Sequence, residues 1–213
     1  MIISQHAFEL IVAEETGGEA YYNQTEQSTT WPGGASGVTI GIGYDCGYEA
    51  AETIMADWNG RLPEAAVSEL CTVAGINGSP AHSHAKELHK RINVPWNVAL
   101  AVFRTRDVPR WEKKVQNALP NIDKLSGDSF GALVSLAFNR GASFHEPGAR
   151  YSEMRAIVSL MANCKFAEIP AEIRAMARLW PSTKDLRDRR QHEAALFEKG
   201  LSEVHSNKGN AMR

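Results

Sequence analysis

Apolar residues follow a helical spacing along most of the chain, beginning close to the N-terminus. Phe8, Ile11 and Val12 form one apolar stripe at positions that share a helix face. Ser4 precedes this stripe as a favourable N-cap, and paired glycines at 17–18 supply the left-handed residues that commonly end helices. We therefore predict a first helix that begins near Ser4 and ends at the glycine pair.

Residues 19–45 have a different pattern. This segment is rich in tyrosine and threonine, which favour strands, and residues 32–34 (Pro-Gly-Gly) are typical of a turn. Val38, Ile40 and Ile42 alternate with smaller residues at the period of a short strand. The pattern predicts a small β-hairpin or three-stranded lobe.

Helical periodicity returns at residue 47 and continues to residue 200. Pro109 falls inside one of the periodic segments and should break or kink the helix there. The polar residues 206–213 are expected to form a frayed, flexible tail. The predicted helices cover 47–58, 63–73, 80–91, 95–117, 126–140, 149–163, 166–179 and 184–200.

These elements predict an α+β fold that is mostly α-helical. We expect one domain over residues 1–205, with a small β lobe at 19–45 and a larger helical lobe at 47–205. A cleft between two such lobes would be a natural place for a ligand.

Composition narrows the class of protein. The chain has 213 residues, 43% of them hydrophobic and 23% charged, and a net charge of −2, which gives no reason to expect nucleic acid as a partner. The three cysteines are widely spaced and indicate reduced thiols. We see no secretory signal, membrane span or metal-ligand pattern, so we expect synthesis in the cytoplasm, no membrane insertion and no metal or cofactor.

Two segments carry candidate catalytic residues. Glu14 and Glu15 lie at the C-terminal end of the first predicted helix, where the helix dipole disfavours carboxylates. The glycine-rich strand offers the hydroxyl of Thr39 and, shortly after it, the carboxylate of Asp45. The alternatives are a solvated acidic pair at a helix end and a glycine-rich edge strand with no catalytic role.

Four motifs in the same order resemble glycoside hydrolase family 24, the phage-type lysozymes. Two are N-terminal: Phe8 to Glu15 followed by a glycine and Tyr22, and the Thr-Ile-Gly-Ile-Gly run at 39–43. Two are C-terminal: the Ala-Leu-Val-Ser-Leu-Ala-Phe-Asn-Arg-Gly-Ala run at 132–142, and 186–197, which follows a tryptophan. The resemblance covers residues 8–45 and 128–200 and implies a lysozyme-like fold.

The resemblance also implies roles for individual residues. Glu15 matches the general acid, Thr39 matches the threonine that orients the attacking water, and Tyr22 keeps the family spacing and is expected to contact substrate. The usual catalytic aspartate should follow Tyr22 closely, but Asn23 and Gln24 stand there.

The second carboxylate must therefore come from elsewhere. In pesticin, a bacteriocin with a related lysozyme domain, an aspartate follows the threonine at the spacing that separates Asp45 from Thr39 here. We predict Asp45 for this role, with Glu26 as the alternative.

Three further residues are candidate substrate contacts. Trp31 lies in the segment 25–34, which is an insertion relative to the resembled family, and is suited to stacking on a sugar. Asn139 could hydrogen-bond an acetamido group. Arg189 could reach the Glu15 carboxylate. A helix C-cap for Asn139 and an ordinary surface charge for Arg189 are the alternatives.

The resemblance implies a muramidase that hydrolyses the β-1,4 bond between N-acetylmuramic acid and N-acetylglucosamine, with inversion, and lyses bacteria. Its partner would be peptidoglycan glycan strands in the periplasmic cell wall. We expect a monomer that reaches the wall through a holin or a secretion system. A lytic transglycosylase or chitinase of similar fold, and a wall-binding phage component without catalysis, are the alternatives.

Overall fold

A computed structural model describes the backbone of residues 1–211 and the side chains of residues 1–203. The described chain is mostly helical and contains one two-stranded antiparallel sheet, which confirms an α+β class dominated by helices. The predicted flexible tail, 206–213, lies outside the residues whose side chains are described. The helices are α1 (Gln5–Thr16), α2 (Glu19–Thr25), α3 (Ala51–Trp58), α4 (Glu64–Thr72), α5 (Ser79–Leu88), α6 (Trp96–Val102), α7 (Val108–Ala118), α8 (Gly127–Arg140), α9 (Ser152–Ala162), α10 (Ile169–Ala175) and α11 (Lys184–Ala211), and the strands are β1 (Thr39–Ile40) and β2 (Tyr44–Asp45).

The chain forms two compact units. The helical unit contains Met1–Ile11 and Pro109–Arg213, and the β-containing unit contains Val12–Val108. Each unit has its own buried apolar residues.

The sheet of the β-containing unit is a tight hairpin. Ile40 pairs with Tyr44, and the three residues between the strands include Gly41 and Gly43, both at positive φ (+56° and +71°). Glycine adopts this backbone region without a Cβ clash, and the turn therefore begins immediately after Ile40. The alternation at 38–42 correctly predicts a strand, but the strand is shorter than the pattern because its glycines form the turn.

Helix α2 occupies a segment whose composition predicts strands. It begins after Gly18, whose φ of 96° suits glycine, and it buries Tyr22 completely. The Tyr22 hydroxyl donates to the Val94 carbonyl at 2.9 Å, and its ring packs against Trp96 with centroids 5.1 Å apart. Tertiary burial of one large side chain therefore outweighs the local preference of tyrosine and threonine for strands.

The long predicted helix at 95–117 is divided in two. Residues Phe103–Asp107 form a π-helical turn between α6 and α7, and the Val108 N–H donates to the Phe103 carbonyl. Pro109 has no N–H to give the preceding turn, and a widened turn accommodates its ring. The predicted break at Pro109 thus takes the form of a π-helical turn just before it.

The helical unit is built around α8. Phe130, Leu133 and Leu136 on this helix are fully buried, and the Ser126 hydroxyl accepts a hydrogen bond from the Ser129 N–H, as expected of an N-cap. Gly200 lies directly against Ser129, where a Cβ would collide. Gly200 therefore allows close packing of α11 on α8. It does not end the helix, and α11 continues past the predicted end at residue 200.

The described residues contain no helix that is both long enough and apolar enough to cross a bilayer. The longest helix, α11, is rich in charged residues along its whole length. All three cysteines are free thiols: Cys46 is buried, Cys71 is partly buried and Cys164 is exposed.

Candidate active site

Glu15, Glu26 and Thr39 line one pocket of about 200 Å³ in the β-containing unit. These three side chains come from the end of α1, the end of α2 and β1, so the fold brings together residues from three elements. The pocket wall is completed by Ser28, Thr30, Pro32, Ile40, Gly41 and Gly43.

The end of α1 positions Glu15. The Thr16 hydroxyl donates to the Val12 carbonyl at 2.7 Å and accepts from the Gly18 N–H at 3.0 Å. Gly17 follows in the left-handed conformation, with φ of 65°, which ends the helix as the glycine pair predicts. Glu15 is partly buried and is held on the last turn of a capped helix.

Glu26 is the second carboxylate of this pocket. It is the residue that caps the C-terminus of α2, and its backbone N–H donates to the Tyr22 carbonyl at 2.8 Å. Partial burial raises the pKa of the Glu26 carboxyl above its ordinary value. Glu26 lies beyond Asn23 and Gln24, which occupy the place of the usual family aspartate, and it is the alternative that the sequence predicts for the second carboxylate.

Thr39 lies on β1 with only 8% of its surface exposed. Its backbone exchanges two hydrogen bonds of 2.9 Å with Thr30, which adds a third, single-bridge partner to the hairpin. The hydroxyl donates to the Gly37 carbonyl at 3.4 Å, a long and therefore weak bond. A water in the pocket can compete for this hydroxyl.

Asp45, the predicted second carboxylate, does not line this pocket. The strand register sets it opposite Thr39, but its carboxylate accepts hydrogen bonds from the Gly37 N–H at 3.0 Å and the Gly47 N–H at 2.9 Å. It thereby caps the short 3₁₀ helix at Cys46–Tyr48. The Asp45 carboxylate oxygens, which the sequence predicts to be catalytic, are therefore bound by backbone N–H groups, and the carboxylate that lines the pocket with Glu15 is that of Glu26.

Tyr22 also differs from expectation. Its side chain is fully buried, and burial raises the pKa of its phenol, with a smaller contribution from the negative charge of Glu26. The hydroxyl is engaged by the Val94 carbonyl. Tyr22 therefore packs α2 into the interior and does not present its ring to a substrate.

Trp31 lies in the loop between α2 and β1 and is partly exposed. Its indole Nε1–H donates to the Ser36 carbonyl at 2.9 Å, and its ring stacks on His82 with centroids 4.7 Å apart. The loop thus holds the indole in one orientation.

Asn139 and Arg189 belong to the helical unit. Asn139 is in the last turn of α8, and its buried Oδ1 has no hydrogen-bond partner among the described residues. Arg189, in α11, is 3% exposed; its Nε donates to Glu193 Oε1 at 3.2 Å and its Nη2 to the Ser135 carbonyl at 3.2 Å. Arg189 is therefore part of a buried ionic cluster rather than an ordinary surface charge.

A further residue, Arg106, supports the hairpin, and no pattern in the sequence identifies it. It emerges from the π-helical turn, forms ion pairs with Glu49 and Asp57, and places its guanidinium 4.0 Å above the Tyr44 ring. The Tyr44 hydroxyl donates to Asp57 Oδ2 at 2.9 Å. This cluster fixes β2, but its members are too far apart in sequence for a pattern to connect them.

No model of a known protein family matches the chain, and the curated proteins searched contain no significant relative.

Proposed function

We propose that the chain is a peptidoglycan muramidase, a hydrolase of the glycosidic bond between N-acetylmuramic acid and N-acetylglucosamine. The observation that carries this proposal is the convergence of Glu15, Glu26 and Thr39 on one pocket. Two carboxyl groups at one site are what glycosidic hydrolysis requires. The choice of substrate rests on the resemblance of four motifs, in the same order, to phage-type lysozymes.

Glu15 acts in this proposal as the proton donor. Its carboxyl protonates the glycosidic oxygen as the bond to the anomeric carbon breaks, so the leaving sugar departs as an alcohol and not as an alkoxide. The position of Glu15 in the resemblance supports this role, together with its placement on the last turn of α1.

Glu26 acts as the base. Its carboxylate takes a proton from the water that attacks the anomeric carbon, while the Thr39 hydroxyl holds that water by a hydrogen bond. The raised pKa of Glu26 makes its carboxylate a stronger base than an ordinary glutamate, which supports the assignment. The sum of the two transfers is hydrolysis: one water is consumed, and one new reducing end forms.

The test is digestion of purified peptidoglycan with analysis of the ends produced. The wild-type chain should clear a cell-wall suspension and release reducing N-acetylmuramic acid ends, and Glu15→Gln should be folded and inactive. Anhydro ends would instead indicate a lytic transglycosylase, and reducing N-acetylglucosamine ends a different bond specificity. A wild-type chain that leaves both walls and chitin intact would contradict the proposal and favour a wall-binding component.

A further inference from the structure

A second pocket, of about 360 Å³, lies in the same β-containing unit and shares Thr30 with the candidate active site. Trp31 is the next residue along this wall, and we name the cavity the Trp31 pocket. α5 and the residue after it contribute four further wall residues: His82, Ala85, Lys86 and His89.

The helical repeat explains why these residues meet. Positions 82, 85, 86 and 89 are separated by three or four residues and therefore share one face of a helix. Ala85 is the smallest of the four and is buried, so the pocket opens above it. The larger side chains of His82, Lys86 and His89 border that space.

Hydrogen bonds join the loop that carries Trp31 to this helix face. The Thr29 hydroxyl donates to the Ala85 carbonyl at 2.7 Å, and His89 Nδ1 lies 3.0 Å from the Thr29 carbonyl. Because a carbonyl only accepts, Nδ1 must carry the hydrogen. His89 Nε2 remains for a hydrogen bond with a ligand.

Trp31 gives the pocket a rigid aromatic wall. The Ser36 carbonyl fixes the indole N–H, and the His82 ring lies nearly parallel to it, with 24° between the planes. An aromatic surface held in this way loses little conformational entropy when a ligand packs on it. The apolar C–H face of a pyranose ring is a suitable partner for such a surface.

The charge of the pocket selects the kind of sugar. Lys86 is exposed at its rim, and no acidic residue is among the described residues that line it. The neighbouring Glu87 lies 3.8 Å from Arg91, whose positive charge partly neutralises it. The ammonium of Lys86 therefore favours an anionic ligand.

We propose that the Trp31 pocket is a second saccharide-binding site that recognises a carboxylate-bearing amino sugar. The sugar ring packs on Trp31 and the carboxylate pairs with Lys86. This inference rests on the proposed muramidase function, since the shared Thr30 wall would let one glycan strand reach both pockets. The carboxylate belongs either to the lactyl group of a peptide-free muramic acid or to the peptide attached to it.

Calorimetric titration of the full chain carrying Glu15→Gln tests the site without turnover. The three probes are an N-acetylglucosamine tetramer, a peptide-free tetrasaccharide with free lactyl carboxylates, and the same tetrasaccharide with its peptides. Lys86→Gln in this background should weaken binding of a carboxylate-bearing probe about three- to tenfold, with a smaller effect at high salt, and leave the neutral tetramer unchanged. The probe that is weakened identifies the source of the carboxylate.

Lys90→Gln is the matched control, because Lys90 is an exposed lysine just past the same helix that does not line the pocket. Trp31→Leu should weaken all three probes, since it removes the stacking surface. If the Lys86→Gln variant binds each of the two carboxylate probes as tightly as its Glu15→Gln parent does, the inference is overturned. Wall clearance by the wild-type chain is measured separately, so a failure of the proposed function is distinguishable from a failure of this site.

Discussion

At the scale of single residues, two carboxylates of the β-containing unit have different tasks because their surroundings differ. Asp45 is held by backbone N–H groups at Gly37 and Gly47, which commits it to capping. Glu26 faces a pocket that also contains Glu15, and burial raises the pKa of its carboxyl. Environment, rather than residue type, distinguishes the structural acid from the proposed catalytic one.

The pH dependence of hydrolysis should report on Glu26. A base must be ionised, so kcat/KM should fall as the pH drops through the pKa of Glu26, which lies above the ordinary value of 4.5. Glu26→Gln should lower kcat/KM by about a hundredfold or more and remove this acid limb. The measurement is the initial rate on soluble glycan strands from pH 4 to 9, referred to the folded fraction at each pH.

If Glu26 were instead the proton donor, the same substitution would remove the basic limb. That outcome would reverse the roles of Glu15 and Glu26 in the mechanism. An unchanged profile in Glu26→Gln would exclude Glu26 from either role.

The sequence could identify Glu15 and Thr39 as pocket residues but could not decide between Asp45 and Glu26. Thr39 and Asp45 share a hairpin, so spacing along the chain predicts that they are neighbours. Spacing does not reveal that the Gly47 N–H donates a hydrogen bond to the Asp45 carboxylate. The competition between a backbone donor and a substrate for the same oxygen is settled only by the folded loop.

At the scale of elements, the hairpin that carries Thr39 depends on a glycine next to a large aromatic residue. Gly41 has a φ of +56°, and a Cβ at this position would meet the ring of Trp58 at 3.3 Å. The hairpin therefore requires both a left-handed backbone and the absence of a side chain.

Gly41→Ala should destabilise the protein by roughly 1–2 kcal/mol and should also lower hydrolysis, because Gly41 lines the pocket. Gly60→Ala is the control: its φ is +73°, but nothing lies within 4 Å of the added Cβ. Urea denaturation of both variants separates backbone strain from the contact with Trp58. Equal losses of stability would show that this contact has no energetic consequence.

Periodic helices were predictable, and the small elements were less so. The predictions at 63–73 and 126–140 agree with α4 and α8 to within a residue, because their apolar stripes are long and regular. Helix α2 has only seven residues, and its packing around Tyr22 cannot be inferred from local composition. Short elements depend on tertiary contacts, and those contacts are not visible in a window of sequence.

At the scale of the whole molecule, the helical unit contains ionic contacts both between segments and within α11. Arg178 donates to the nearly buried Glu153 at 2.9 Å, and Glu193 lies fully buried between Arg189 and Arg190. Burial by itself would raise the pKa of Glu153, but the hydrogen bonds that the carboxylate accepts from Arg178, Ser152 and the backbone, together with the charge of Arg178, outweigh burial, and the pKa is lowered. The folded state therefore favours the ionised carboxylate.

This shift predicts an acid-sensitive contribution to stability. Because the folded pKa of Glu153 is lower than the unfolded one, its contribution is present above pH 4.5 and is lost as the pH falls through the folded value. Glu153→Gln should cost about 1 kcal/mol of unfolding free energy at pH 7, given the exposure of Arg178, and the cost should shrink at pH 3. Urea midpoints at the two pH values measure it.

Glu198→Gln is the control, because Glu198 pairs with Arg174 where both side chains are exposed. Its cost at pH 7 should be smaller than that of Glu153→Gln. A Glu153→Gln variant that is equally destabilised at pH 3 and pH 7 would contradict the linkage.

The central claim is that Glu15 and Glu26, and not Asp45, perform hydrolysis. The most direct measurement is the rate of reducing-end release from cell-wall glycan by Glu15→Gln, Glu26→Gln and Asp45→Asn, each referred to its folded fraction. We expect the first two to lose about a hundredfold or more, and Asp45→Asn to lose stability but keep most of its rate per folded molecule. A folded Asp45→Asn that is inactive, beside a Glu26→Gln that works at the wild-type rate, would contradict the claim.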